Sequence, residues 1–394
     1  MNRKRLFDID TDDLLMIVLI TFSGNPVTRF MGKYVVFIVA LVIFVSFYNR
    51  IKKDFYAFFF SIAISLLFLF VCQYLILGFV SWLGAINYIS IFFLGGLITY
   101  LIRDRFANKF FIILSYVSLI SLILYVPINL LSIPIPGLEW RSERFTYIIY
   151  TFVEQHHYRN CGTFWEPGAF AGVITLCMAL NVKQLPNLWK EHRFKVVVII
   201  LALITTQSTT GYVTFFLIGC YFMLFFIKDK TLAFTLLPLI FVIGVVVYTN
   251  ATFLKDKVEY QSQETLVLDK GEFSNTRFGS FIFDMNYIKK HPLVGNGFSE
   301  ITRFADNPEL LQRIKEGEQL GQGNGLSNYA ACLGLPFLVF YLLLSYKAVA
   351  PIDRRLGILV TLVIVLSLIS EQWLAYPLFT GIIFLKNKKK LSNE

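Results

Sequence analysis

The sequence predicts an all-α polytopic integral membrane protein, and three observations carry that prediction. Hydrophobic residues make up 56% of the 394 residues and charged residues only 16%, too skewed for an ordinary soluble domain. The apolar residues, 41 Phe among them, fall in repeated runs of roughly 20 residues, the length a helix needs to span a bilayer. Lys and Arg collect in short clusters between those runs, so the net charge of +10 orients the chain in a membrane rather than marking a nucleic-acid partner.

Taken in order, the apolar runs give about twelve spans within one membrane domain covering 1–394: 14–30, 33–49, 55–78, 82–102, 109–133, 166–182, 194–207, 210–227, 231–250, 326–346, 355–371 and 374–386. The first run follows acidic residues and has no small-residue cleavage site behind it, so it reads as a retained span rather than a signal peptide. With both termini cytoplasmic, the clusters Arg3-Lys4-Arg5, Arg50-Lys52-Lys53, Arg103-Arg105-Lys109, Lys183-Lys190-Arg193-Lys195, Lys228-Lys230, Lys347-Arg354-Arg355 and Lys386-Lys388-Lys389-Lys390 all lie inside. The run after Arg354 is either one kinked span or two short ones broken at Glu371 to Pro377; two keep the C-terminal lysines inside. Glu371-Gln372-Trp373 then marks a turn or lines a cavity, and the sequence does not choose. The C-terminal spans occupy 326–394.

This orientation leaves two long external loops, 134–165 and 251–325, where function is expected. In the second, Phe278, Phe281, Ile282, Met285 and Ile288 recur at helical spacing after Ser274-Asn275 and stop at Lys289-Lys290-His291-Pro292, which predicts an amphipathic helix. Another helix is expected from Asn307-Pro308 to Gly317. Four of the five cysteines lie in or beside apolar runs, and no Cys-x-x-Cys or His-x-x-x-His spacing occurs, so neither a disulfide framework nor a metal site is expected.

The first external loop ends in Arg159 to Gly168, Arg-Asn-Cys-Gly-Thr-Phe-Trp-Glu-Pro-Gly, opening directly onto an apolar run. Charge at a membrane boundary is costly unless paired or used. Arg159 either grips a phosphate or snorkels to headgroups, with Gly162 three residues on allowing close backbone approach. Glu166 either caps the helix that Pro167 starts or acts as a general base. Arg277 falls in the first turn of the predicted loop helix, where free N–H groups favour an anion. His156, His157 and His291 are the external imidazoles. Thr205 to Gly211 is a hydroxyl-rich turn whose Thr209, with neighbouring Tyr212, either contacts sugar or satisfies backbone. The Asp-x-Asp pattern at Asp8 and Asp10 sits on the cytoplasmic side and is read as a chance occurrence.

These segments, in this order, resemble the bacterial O-antigen and capsule repeat-unit polymerases (Wzy-type), which share a superfamily with the O-antigen ligases. Arg159 to Ala171 looks like the family's Arg…Gly-x-Phe-x-Glu-Pro-Gly signature, and Thr206 to Tyr212 its Thr-x-Ser-x-Thr-Gly-Tyr turn. Asn275-Thr276-Arg277 with His291 to Phe298 is similar to its Arg…Pro-Leu-x-Gly-x-Gly segment, and Asn324 to Pro336 to its Asn-Gly…Gly-Leu passage into the next span. The likeness covers about the C-terminal two thirds of the chain.

The resemblance implies a lipid-sugar (GT-C-like) glycosyltransferase architecture in the bacterial cytoplasmic (inner) membrane, with its active site facing the periplasm or cell exterior. It implies transfer of a growing glycan from undecaprenyl diphosphate onto another undecaprenyl-diphosphate-linked repeat, with no cofactor. A chain-length regulator and a flippase are the expected protein partners, beside membrane lipids. By motif, the family's two functional arginines map onto Arg159 and Arg277. Glu166, His291 and the His156-His157 pair remain open as the base, and Gly162, His157, Thr209, Tyr212 and Asn324 are the candidate substrate contacts. In the ligase branch a histidine precedes the Asn that opens the last motif; here Gly323 stands there, which favours a polymerase over a ligase acting on lipid A-core. A flippase for the same lipid-linked sugar is the non-enzyme alternative.

Overall fold

A computed structural model describes residues 10–32, 34–133, 137–141, 144–147, 149–227, 231, 276–304, 306–316 and 323–385. Within them, four helical stretches are long and apolar enough to cross a bilayer: Lys53–Leu77, Trp82–Leu130, Pro167–Thr205 and Thr209–Phe226. Val35–Ser46 and Leu335–Val349 are shorter apolar helices, and Arg354–Ser370 adds 17 residues more. The chain is a mostly helical membrane protein. Burial sorts the stretches: the most apolar window of Pro167–Thr205 is 78% buried and that of Lys53–Leu77 only 22%, so the former is central and the latter faces outward.

Several expected spans take a different form. The run 14–30 is a helix only over Thr11–Phe22, because Gly24 (φ 141°) and Pro26 turn the chain before a single turn at Val27–Phe30. The expected span 231–250 lies outside the described residues apart from Thr231. The last run is no continuous helix: Trp373–Ala375, Pro377–Gly381 and Ile382–Phe384 are short pieces, all but fully buried apart from Ala375. Gly95, Gly96 and Gly381 leave no room for a Cβ, so this broken segment lies directly on helix Trp82–Ile102. Irregular backbone at membrane depth is tolerated only where protein covers it.

Helix Phe106–Tyr125 fixes which features share an end of the bundle. At its start, Lys109 donates to Asp10 (2.8 Å) and Asp13 (2.9 Å), and Arg105 pairs with Asp12. Asp10 also caps helix Thr11–Phe22 in a capping box with Asp13, so these acidic residues serve as cap and counter-charge. At the far end, about 30 Å along a 20-residue helix, the Tyr125 hydroxyl donates to the Tyr158 carbonyl (2.8 Å). The Arg159 decapeptide therefore sits at the opposite end from the basic and acidic cluster.

The first long loop is not wholly irregular: it adds one small sheet to a mostly helical fold. Leu138–Arg141 (β1), Arg144–Thr146 (β2) and Thr151–Val153 (β3) form an antiparallel sheet in the order β1-β2-β3, with Phe145 opposite Phe152. Strands this short escape a periodicity of two.

In the second loop, helix Arg277–Lys290 is present, but its N-cap is Thr276, whose hydroxyl accepts from Gly279 N (3.2 Å); Ser274 and Asn275 lie outside the described residues. The expected apolar stripe divides: Phe278 (55% exposed) and Phe281 (39%) face outward and Ile288 is buried, while Ser280, Phe283, Asp284 and Tyr287 also face in. A buried ion pair lies on the inward face. Arg303, from the short helix Glu300–Arg303, binds Asp284 and Asn328, and Ser327 Oγ donates to the other Asp284 oxygen (2.6 Å). Burial pushes the Asp284 carboxyl above its ordinary value, against the pull of Arg303 and Ser327. The network ties the loop helix to helix Gly325–Leu333. The expected second helix is Pro308–Lys315, capped by Asn307.

Removing one partner of this pair strands a buried charge, so Asp284→Ala should lower stability by about 3–5 kcal/mol, whereas Asp284→Leu with Arg303→Met should recover most of it. Thermal unfolding of the purified protein in detergent measures both; equal loss in the single and double variants would show that a stranded charge is not the cause.

Candidate active site

The decapeptide is held from four directions. Asn160 donates to Ser121 Oγ (3.3 Å) and Thr205 Oγ1 (3.0 Å), and its own amide nitrogen donates to the Thr205 carbonyl (2.9 Å). Asn25 Nδ2 donates to Thr163 Oγ1 (2.7 Å) from the N-terminal turn. Asn129, on the single π-helical turn Val126–Leu130, donates to the carbonyls of His157 (2.5 Å) and Arg159 (3.2 Å). Trp165 stacks on Tyr376 (4.5 Å, 18°) and donates Nε1–H to Glu371 Oε2 (3.2 Å). Gly162 (φ 55°) makes the turn that this anchoring requires; its amide meets Asn160 Oδ1 (2.8 Å) and a Cβ would strike Phe170.

The two arginines are anchored at one helix junction, Arg159 on its turn and Arg277 on the first turn of the helix that follows. Arg159 donates through Nε to the Thr206 carbonyl (3.1 Å), and Arg277 through Nη1 to Thr210 Oγ1 (3.3 Å). That turn joins helices Leu185–Thr205 and Thr209–Phe226. It contains Gln207 at φ 48°, a conformation side chains other than glycine seldom adopt. Burial lowers the Arg159 guanidinium from its ordinary value, and the charge of Arg277 pushes the same way, while Glu166 and Glu371 oppose it. The charges that act on Arg159 come from its own decapeptide (Glu166), from the loop helix (Arg277) and from the end of helix Arg354–Ser370 (Glu371).

The carboxylates divide by environment. Glu166 occupies the N-cap position of helix Pro167–Asn181, but its side chain caps nothing; Oε1 accepts from Arg144 of β2 (2.9 Å), and the carboxylate is 31% exposed. Glu371 is buried and projects over Gly168. A methyl group there would lie 2.6 Å from Glu371 Oε1 and 3.5 Å from Arg277 Nη2, so the glycine of Glu-Pro-Gly is the space both groups share. The first turn of helix Pro167–Asn181 thus presents its positive end to a carboxylate, with a guanidinium alongside.

The other expected site residues separate into near and far. Thr209 borders the arginine-bearing turn, and among the described residues its buried Oγ1 has no hydrogen-bond partner. Tyr212 donates to the Ile204 carbonyl (2.6 Å) and closes the turn. Asn324 caps helix Gly325–Leu333 by accepting from Ser327 N (3.1 Å), and its Nδ2 reaches the Arg277 carbonyl (3.4 Å), so it positions backbone. His157 is exposed, its ring against Tyr158 (3.7 Å), and His156 accepts the Arg159 N–H at its carbonyl. His291 is not brought to the arginines: it ends the 14-residue helix that Arg277 begins, about 20 Å away along the axis. There its segment wraps helix Gly325–Leu333, with Asn296 N donating to Ala331 O (2.8 Å) and Gly297 N to Cys332 O (3.0 Å). Sequence reasoning missed Arg144, Asn129 and the alignment of Glu371. For Glu371 the signal was present, as an acid interrupting an apolar run; for Arg144 nothing local marked it.

Residues 194–342 match the family model described as O-Antigen ligase, a stretch that holds the arginine-bearing turn, Arg277 and Asn324 but not Arg159 to Gly168. No curated protein matches the chain.

Two glycine substitutions separate chemistry from folding. In Gly168→Ala the new methyl meets the movable end of Glu371, so the unfolding temperature should hold within a few degrees while glycan product falls at least about tenfold. In Gly325→Ala the methyl meets the Glu371 backbone carbonyl, which cannot yield, and stability should fall by about 1–3 kcal/mol. Normal product from Gly168→Ala would mean that the space over this glycine is not used.

Proposed function

From a domain of the O-antigen polymerase and ligase superfamily, we propose that this protein polymerises undecaprenyl-diphosphate-linked repeat units into O-antigen or capsular polysaccharide. The reaction takes place at the external face of the bacterial cytoplasmic membrane. The observation that carries the reading is the pair Arg159 and Arg277, fixed at a single helix junction beside the N-terminus of helix Pro167–Asn181. Fixed guanidiniums next to a helix start form a site for a diphosphate.

In this reading the hydroxyl of the acceptor sugar attacks the donor's anomeric carbon, and the bond from that carbon to the diphosphate breaks. The electron pair leaves with the diphosphate, and Arg159 and Arg277 stabilise the charge that accumulates there. Glu166, partly exposed and acting electrostatically on Arg159, accepts the proton of the attacking hydroxyl; Arg144 holds it in place. The lipid diphosphate is itself the activated donor, so the scheme draws on no nucleotide.

A ligase is the second reading, and one observation bears on it. Gly323 occupies the position where ligases carry a histidine, and its amide donates to Ser280 Oγ (3.2 Å). No side chain at that position can act as base. A flippase reading is weaker, because the ion pairs described lie towards the two ends of helix Phe106–Tyr125 and in the loops rather than at the middle of the bundle.

Glycan profiles of a deletion strain decide among the three. A polymerase defect leaves single repeats on the lipid core, a ligase defect leaves none attached, and a flippase defect leaves repeats trapped inside. Complementation with Arg159→Ala or Arg277→Ala should give no long polysaccharide at normal protein level, and Arg→Lys should recover little because the ammonium lacks the planar fork. Full-length polymer from either alanine variant would remove that arginine from the mechanism.

A further inference from the structure

We propose that Glu371 is a positioning residue: a fixed counter-charge that holds Arg159 and Arg277 in register for a diphosphate. This deepens the reading above and rests on it. The backbone of Glu371 is held before the side chain does anything. It ends helix Arg354–Ser370 in an extended conformation (φ −151°, ψ 160°), its N–H donates to Ser367 O (2.9 Å), and its carbonyl accepts from Trp373 N (3.0 Å) and packs against Gly325. The side chain is then steered by Trp165 Nε1 onto the first turn of helix Pro167–Asn181, where Oε1 and Arg277 Nη2 face each other across Gly168.

The electrostatics explain the need. The two guanidiniums repel, and burial of Arg159 removes much of the water that would screen it. A buried carboxylate that faces Arg277 across Gly168 and acts electrostatically on Arg159 offsets that repulsion. Its neighbours, an indole N–H, a guanidinium and a helix start, all favour negative charge, which suits a counter-charge. Glu166, partly exposed, is free to accept the proton.

A site built this way has a measurable signature, because the carboxylate competes with the diphosphate it helps to place. In the purified full-length protein in lipid nanodiscs, Glu371→Gln keeps an acceptor for Trp165 but removes the charge. Inorganic diphosphate, followed by calorimetry, should bind about threefold more tightly, while kcat for lipid-linked repeats falls about 100-fold with KM no higher than in wild type. Glu371→Asp should recover at least about a tenth of wild-type kcat, the unfolding temperatures should stay within a few degrees, and the pH–rate profile should keep its shape. Unchanged kcat in Glu371→Gln overturns the proposal. So does weaker diphosphate binding with a lowered unfolding temperature in both variants, the result for a purely structural residue. Loss of the acidic limb of the pH profile overturns it in favour of a base. If wild type makes no polymer while diphosphate binding still tightens in Glu371→Gln, the polymerase reading fails and the counter-charge stands.

Discussion

Repulsion between two arginines that must share a helix junction is the constraint around which this protein is built. Neither guanidinium can relax by losing its proton. Each is therefore tethered, Arg159 to the Thr206 carbonyl and Arg277 to the Thr210 hydroxyl. The tethers work only because the turn between two helices is itself rigid, closed by Ser208 capping Gly211 and by Tyr212 reaching back to Ile204. The central helix Pro167–Asn181 supplies the second half of the compensation by directing its positive end at Glu371 rather than at a third cation. The surrounding bundle is organised to keep these three elements in register.

That organisation accounts for a group of buried amides beside the decapeptide. Asn129, Asn160 and Asn25 all spend their amides on backbone carbonyls or on hydroxyls of the decapeptide and its neighbours. In a nonpolar surrounding a satisfied amide is directional in a way that apolar packing is not. The Asp284–Arg303 pair does the same for the second loop, on the inward face of helix Arg277–Lys290.

Much of this was legible in the sequence, and the remainder failed for identifiable reasons. Apolar runs and basic clusters marked the membrane class, and the Arg159 to Gly168 segment stood out as charge in an expensive position. The helix over Arg277–Lys290 was readable from its spacing, but the salt bridge on its inward face was not, because Asp284 meets Arg303 only through the fold. His291 drew attention as an imidazole, yet a helix of known length carries it away from the arginines. The break at Glu371 to Pro377 was visible, but its meaning depended on Gly168, 203 positions earlier, and no local pattern connects residues that far apart. Arg144 lay in a strand too short to leave a period.

The four-way anchoring of the decapeptide also determines how large a genetic target this site presents. Its geometry is written not in ten residues but in the partners that brace them, from Asn25 near one end of the sequence through Ser121, Asn129, Arg144 and Thr205 to Glu371 and Tyr376 near the other. Loss-of-function alleles therefore belong scattered over nearly the whole gene while converging on one small volume. Suppressors of such alleles belong in segments remote in sequence from the lesion they correct.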